Sequence, residues 1–237
     1  MRSRVLYLLL MFCSAPLAAG QTDAGQAPLN LRMRYSVARE GMPLTKALAE
    51  VGDRQLRNRV LFGIEVHLED KREPVVDFRF DASSTLGDVL HQIVRQLPGY
   101  EFEVVSDRMV NIHPRGSKGN PDSLLNTRVD RFEVVEEPPG NIITRPKEFI
   151  PELAERLTPK RFASGPAGTA GSGIRGVGPP MITLHLQDVT VREILNEVSA
   201  ATQRVTLPEY RPMGWVYSFQ PDPTSDLGGV HSWSVNW

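Results

Sequence analysis

Apolar residues recur along this chain at two spacings, and the changes between them divide it into elements. In TLGDVLHQIVRQL, Thr85 to Leu97, the residues Leu86, Val89, Leu90, Ile93, Val94 and Leu97 fall three or four apart. That spacing gathers them into one stripe of a helix. A near twin follows at TVREILNEVSAAT, Thr190 to Thr202, with Val191, Ile194, Leu195 and Val198 on its stripe. Each copy opens with Thr and places an acid three residues later, Thr85 with Asp88 and Thr190 with Glu193. This is the pattern in which side chains cap the orphan N–H groups of a first helical turn.

The elements around the first helix follow the same logic. RYSV, from Arg34, predicts a short strand, and Leu44, Ala47, Leu48 and Val51 predict a helix that Pro43 can open. Between Val60 and Leu68 apolar residues alternate with Leu61, Gly63, Glu65 and His67, a half-buried strand in which Val60, Phe62, Ile64, Val66 and Leu68 form the core face. After the charged turn EDKRE, Val76, Phe78 and Phe80 alternate with Asp77 and Arg79 in a second strand. Pro98-Gly99 ends the Thr85 helix, and YEFEVV and RMVNIHP flank Ser106-Asp107 as a closing hairpin.

A second pass repeats this order. TRVDRFEVVEE, Thr127 to Glu137, reads as a strand, KEFIPELAERL as a helix interrupted by Pro151, and MITLHLQD as a strand leading into the Thr190 helix. RVTL and GWVYSF would supply another hairpin. The glycine-rich stretch 163–180 is too polar and flexible to build a core. Striped helices beside one-faced strands imply an α+β fold of two tandem two-layer sandwiches, each with helices on one face of a small mixed sheet. The expected boundaries are a flexible lead-in at 21–33, a first module at 34–114, a linker at 115–126 and a second module at 127–237.

The segment from Tyr35 to Pro114, with PLTKALAEV and VVDFRFDASSTLGDVLHQIVRQLPGYEFEVVSDRMVNI, resembles the short N-terminal domain of secretins and TonB-dependent receptors. MITLHLQDVTVREILNEVSAATQ is similar in the second pass. The resemblance implies a periplasmic interaction module with no catalytic residues. In those families the domain precedes a barrel or a plug, so no channel or receptor function is carried over to this chain.

Arg2 and Arg4, the apolar run from Val5 to Phe12 and the small residues Ala18-Ala19-Gly20 have the layout of a secretory signal peptide, with cleavage expected between Gly20 and Gln21. A run this short falls below the roughly 20 apolar residues that span a bilayer. Cleavage would also remove Cys13, the only cysteine. Losing Arg2 and Arg4 from 27 basic residues leaves 25 against 28 acidic ones, a net charge of −3. The signs are interspersed, which does not match the basic footprint of a nucleic-acid binder. The expectation is a periplasmic or secreted protein that does not span the membrane.

Candidate chemistry is sparse. GSGIRG, Gly171 to Gly176, has the glycine spacing of a dinucleotide-binding loop but not its strand-to-helix setting, so a linker is expected and no cofactor. His67, His91, His113, His185 and His231 show no metal-ligand spacing, and ordinary surface positions account for them. No metal or catalytic residue is assigned. In VHSWSVNW, Trp233, Val235 and Trp237 share a face. Two readings stand for this stretch: a last core strand, or an exposed strand edge in which Trp215, Trp233 and Trp237 receive a protein partner. The sequence therefore predicts a non-enzymatic adaptor for an envelope assembly related to secretins or TonB. The competing expectation is an envelope enzyme or carbohydrate-binding protein with its site in a cleft between the modules.

Overall fold

The computed structural model describes residues 24–56, 59–156, 181–205, 214–221 and 229–236. The expected signal peptide at 1–20, the glycine-rich stretch 163–180 and Trp237 lie outside the described residues. In chain order the elements are β1 (Val37–Pro43), α1 (Leu44–Ala49), β2 (Leu61–His67), β3 (Val75–Phe80), α2 (Leu86–Gln96), β4 (Tyr100–Ser106), β5 (Met109–Pro114), β6 (Arg128–Glu137), α3 (Pro139–Thr144), α4 (Pro146–Phe149), α5 (Pro151–Arg156), β7 (Ile182–Thr190), α6 (Val191–Val205), β8 (Gly214–Pro221) and β9 (Gly229–Asn236). The fold is α+β, with helices layered on open sheets.

Both twin helices begin as their sequences require. At α2 the Thr85 hydroxyl accepts the Asp88 N–H at 3.2 Å while the Asp88 carboxylate accepts the Thr85 N–H at 2.8 Å. At α6 the same exchange joins Thr190 and Glu193 at 3.3 and 2.7 Å. Each helix then lays its stripe into a separate core. Leu86, Val89, Leu90 and Ile93 join α1 and β3 in the first, and Val191, Ile194, Leu195 and Val198 join β6 and β7 in the second.

The two passes meet in one sheet. Its strand order is β4-β5-β2-β8-β9, so β2 lies between the hairpin that follows α2 and the hairpin that follows α6. β2 runs parallel to both neighbours, pairing Leu61 to Ile64 with Met109 to Ile112, and Phe62 to His67 with Gly214 to Phe219. Two-stranded ribbons, β1 with β3 and β6 with β7, complete the strand layers. Alternation assigns the faces. Phe62, Ile64, Val66, Val110, Ile112 and Val216 enter the first core, while Leu61, Met109, Trp215 and Tyr217 enter the second. The five-stranded sheet is thus covered on both sides, and the twin helices serve opposite faces of it.

Several expectations change as a result. β2 was expected to be half-buried, yet Leu61 to Val66 are buried on both faces. The first strand begins at Val37, three residues after Arg34, and pairs with β3. GWVYSF pairs with β2 and β9, while residues 206–207 of the expected hairpin partner lie outside the described residues. The expected 147–157 helix is broken at Pro151 into the short α4 and α5, with α3 a further short helix ahead of it, because proline has no N–H to continue a helix and clashes with the preceding turn. The stretch 115–126, expected as a polar linker, buries Leu124 and Leu125 in the second core.

Candidate functional site

The site is built on the second face of β2. Gly63 turns its Cα to this face, the side chains of Glu65 and His67 point there, away from the first core, and α6 crosses it. Glu65 is buried, with its side chain 2% exposed. Its Oε2 accepts hydrogen bonds from Arg192 Nη2 on α6 at 2.7 Å and from the Ser117 hydroxyl at 2.9 Å. Its Oε1 lies 3.4 Å from His67 Nε2. Burial alone would raise the Glu65 carboxyl, but the His67 contact, the Arg192 charge and the Ser117 hydroxyl together outweigh it and hold the group below the ordinary carboxylate value. One ionised carboxylate therefore ties β2, the 115–126 segment and α6 together.

Beside this anchor lies a cleft of about 650 Å³. Its floor is Glu65, His67, Tyr217, Phe219 and His231, from β2, β8 and β9, and its walls are the segment from Pro114 to Ser123 and Arg156 of α5. The wall segment is held by the Asn126 amide, which donates to the Ser117 carbonyl at 2.6 Å and the Asn120 carbonyl at 2.8 Å. Arg156 crosses from the second half, donating to Thr127 Oγ1 at 2.7 Å and the Asp122 carbonyl at 2.8 Å.

The floor is a set of mutually engaged groups. Burial pushes the Tyr217 phenol well above its ordinary value, so it stays protonated, and its hydroxyl shares a hydrogen bond with His231 Nδ1 at 2.5 Å. The Phe219 ring meets His67 edge-on at 5.4 Å and lies tilted against His231 at 4.9 Å. With both Glu65 oxygens engaged, the carboxylate is suited to holding the two halves in register and poorly suited to donating a proton. The arrangement presents a fixed floor under walls rich in hydrogen-bond donors.

Two of the three tryptophans expected at a partner-binding face are core residues, which corrects that expectation for them. Trp215 is 1% exposed and Trp233 is 7% exposed. Trp215 fits because Gly63 leaves room beneath it: a Cβ there would overlap Asn111 Oδ1 and lie 2.5 Å from Trp215 Cζ2. Its indole N–H donates to Asn196 Oδ1 on α6 at 2.8 Å, so burial leaves no stranded donor. Trp233 packs on Tyr217 with ring centroids 4.9 Å apart. The expectation of surface histidines is also corrected for His113 and His231, which are 2% and 4% exposed, because the second face of their sheet is covered by the second half. His185 stays exposed, 3.2 Å from Glu133.

Sequence reading missed the cleft and its anchor. Glu65 and Arg192 carry no local motif, and only the small and apolar residues Gly63 and Leu61 beside Glu65 hint that the second face is covered. Among the described residues no helix is long and apolar enough to cross a membrane, and no three of His, Cys, Asp and Glu converge as a metal site. Comparison with protein-family models, curated proteins and solved structures finds no match, so the functional reading stands on the geometry of the cleft.

Proposed function

We propose that this chain is a non-enzymatic binding protein of the cell envelope, an adaptor that receives a protein partner in the cleft between its two halves. The observation that carries the reading is the cleft itself: about 650 Å³, with walls drawn from both halves and a floor fixed by the Glu65–Arg192 ion pair. A recognition site gains from such rigidity, because less conformational freedom is lost when a partner docks. The signal-peptide layout of residues 1–20 supports export, and the resemblance of residues 35–114 to the short N-terminal domain of secretins and TonB-dependent receptors supports an accessory role in such an assembly. The engaged state of Glu65 and Tyr217 favours binding over acid–base chemistry. The carbohydrate-binding alternative is weakened by the packing of Phe219, whose ring is already occupied by His67 and His231.

Position-specific photocrosslinking in intact cells tests the reading. A crosslinker replacing Ser123 in the cleft wall should give a discrete protein adduct, and one replacing the exposed Lys46 on α1 should not. Adducts of equal yield at both positions, or none at Ser123, would overturn it.

A further inference from the structure

From the charge of the cleft we infer that its ligand is an acidic peptide segment, an assignment that rests on the cleft being the recognition site. The carboxylate on the floor, Glu65, is already neutralised by Arg192 at 2.7 Å. The walls then contribute two guanidinium groups, Arg115 and Arg156, against one carboxylate, Asp122. Some arginines of the fold are matched to acids, as in Arg145 with Glu148, Arg128 with Asp188 and Arg131 with Glu133, while others on the outer surface are left to solvent. Arg115 and Arg156 form no ion pair among the described residues. Arg156 donates only to a hydroxyl and a backbone carbonyl.

Unmatched cations facing one cavity leave it positive. Guanidinium groups are forked donors suited to carboxylates and keep their charge across the accessible pH range. A cleft of this volume, formed by an exposed loop and a short helix at the ends of three strands, has room for a few residues of extended chain. The Phe219 ring is occupied by its neighbours, which removes the flat aromatic platform that a sugar would stack on. The favoured ligand is therefore a run of Asp or Glu side chains on a partner polypeptide.

The test is fluorescence anisotropy of labelled hexaglutamate and hexalysine peptides with the purified protein. Hexaglutamate should bind and hexalysine should not, with affinity falling as salt is raised from about 50 to about 200 mM, because the attraction is screened. Arg115→Glu should weaken hexaglutamate at least tenfold, Arg115→Lys should retain most of the affinity, and Lys46→Glu on the distant α1 should leave it unchanged. Equal binding of both peptides, no hexaglutamate binding in the millimolar range, or indifference to Arg115→Glu would overturn the inference. Citrate displacing hexaglutamate at equal carboxylate concentration would identify a small-anion site and overturn the peptide assignment. A Ser123 crosslink that persists in Arg115→Glu, in a protein that binds no hexaglutamate, would remove the acidic ligand and leave the cleft reading intact.

Discussion

Replacing Glu65 with Gln tests the joint between the two halves. The substitution keeps the shape of the side chain and removes one charge, leaving Arg192, 4% exposed, without the carboxylate that balances it. Arg192 already has two buried donors, Nε and Nη1, with no hydrogen-bond partner, so it has little local means of compensation. Removing one member of a buried ion pair costs about 3–5 kcal/mol. With a urea dependence of about 2 kcal/mol per molar, the unfolding midpoint should fall by about 2 M. Glu65→Leu combined with Arg192→Met should recover most of that loss, since apolar groups of similar volume replace buried pairs at little cost. The pH profile supplies an internal check. Because the folded-state pKa of Glu65 lies below the ordinary 4.5, its contribution is present above that value and is lost as pH falls through the folded pKa. Urea melts followed by tryptophan fluorescence at pH 7, and thermal melts between about pH 3 and 6, should therefore show Glu65→Gln destabilised at neutral pH with a flattened acid limb. A loss below about 1 kcal/mol at pH 7, or an unchanged acid limb, would mean that the pair is not what fixes the halves in register.

Gly63→Ala should cost about 3 kcal/mol, the upper end of overpacking, and should alter the near-UV circular dichroism, because the new methyl group collides with Asn111 and the Trp215 indole. Leu90→Ala and Leu195→Ala delete buried side chains on opposite faces of the sheet and should each cost about 2–5 kcal/mol. Because β2 is part of both cores, each substitution should shift one cooperative urea transition, and two separated transitions in either variant would refute the shared-sheet account.

What the sequence disclosed was local. The capping pairs at Thr85 and Thr190 lie three residues from their partners, so a short window contains the whole interaction, and the stripes of α2 and α6 carry their own period. The pairing of β2 with β8 is not local, and the alternation in Val60 to Leu68 reports that two faces differ without reporting what covers each. Leu61 and Gly63 belong to a second buried face only because α6 and Trp215 arrive there from far along the chain. The tryptophans were ambiguous for the same reason: a strand ending in alternate tryptophans reads alike whether a helix or a partner covers it. Glu65 resembled any polar residue on a solvated strand face, and its role exists only once Arg192, Ser117 and His67 surround it.

The position of β2 also bears on how the chain reaches its fold. As the polypeptide is made, β2 and its neighbour β5 appear first, but the strand that closes the other edge of β2 begins at Gly214, far later in the chain. Until then β2 carries an open edge and an ionisable Glu65 whose guanidinium partner has not been translated. Contacts so distant in sequence close slowly, and open edges of this kind invite pairing with other chains. The same delay keeps the first half from locking into its final form until β8 has been made. Final folding is then triggered when the β8–β9 hairpin docks on the open edge of β2.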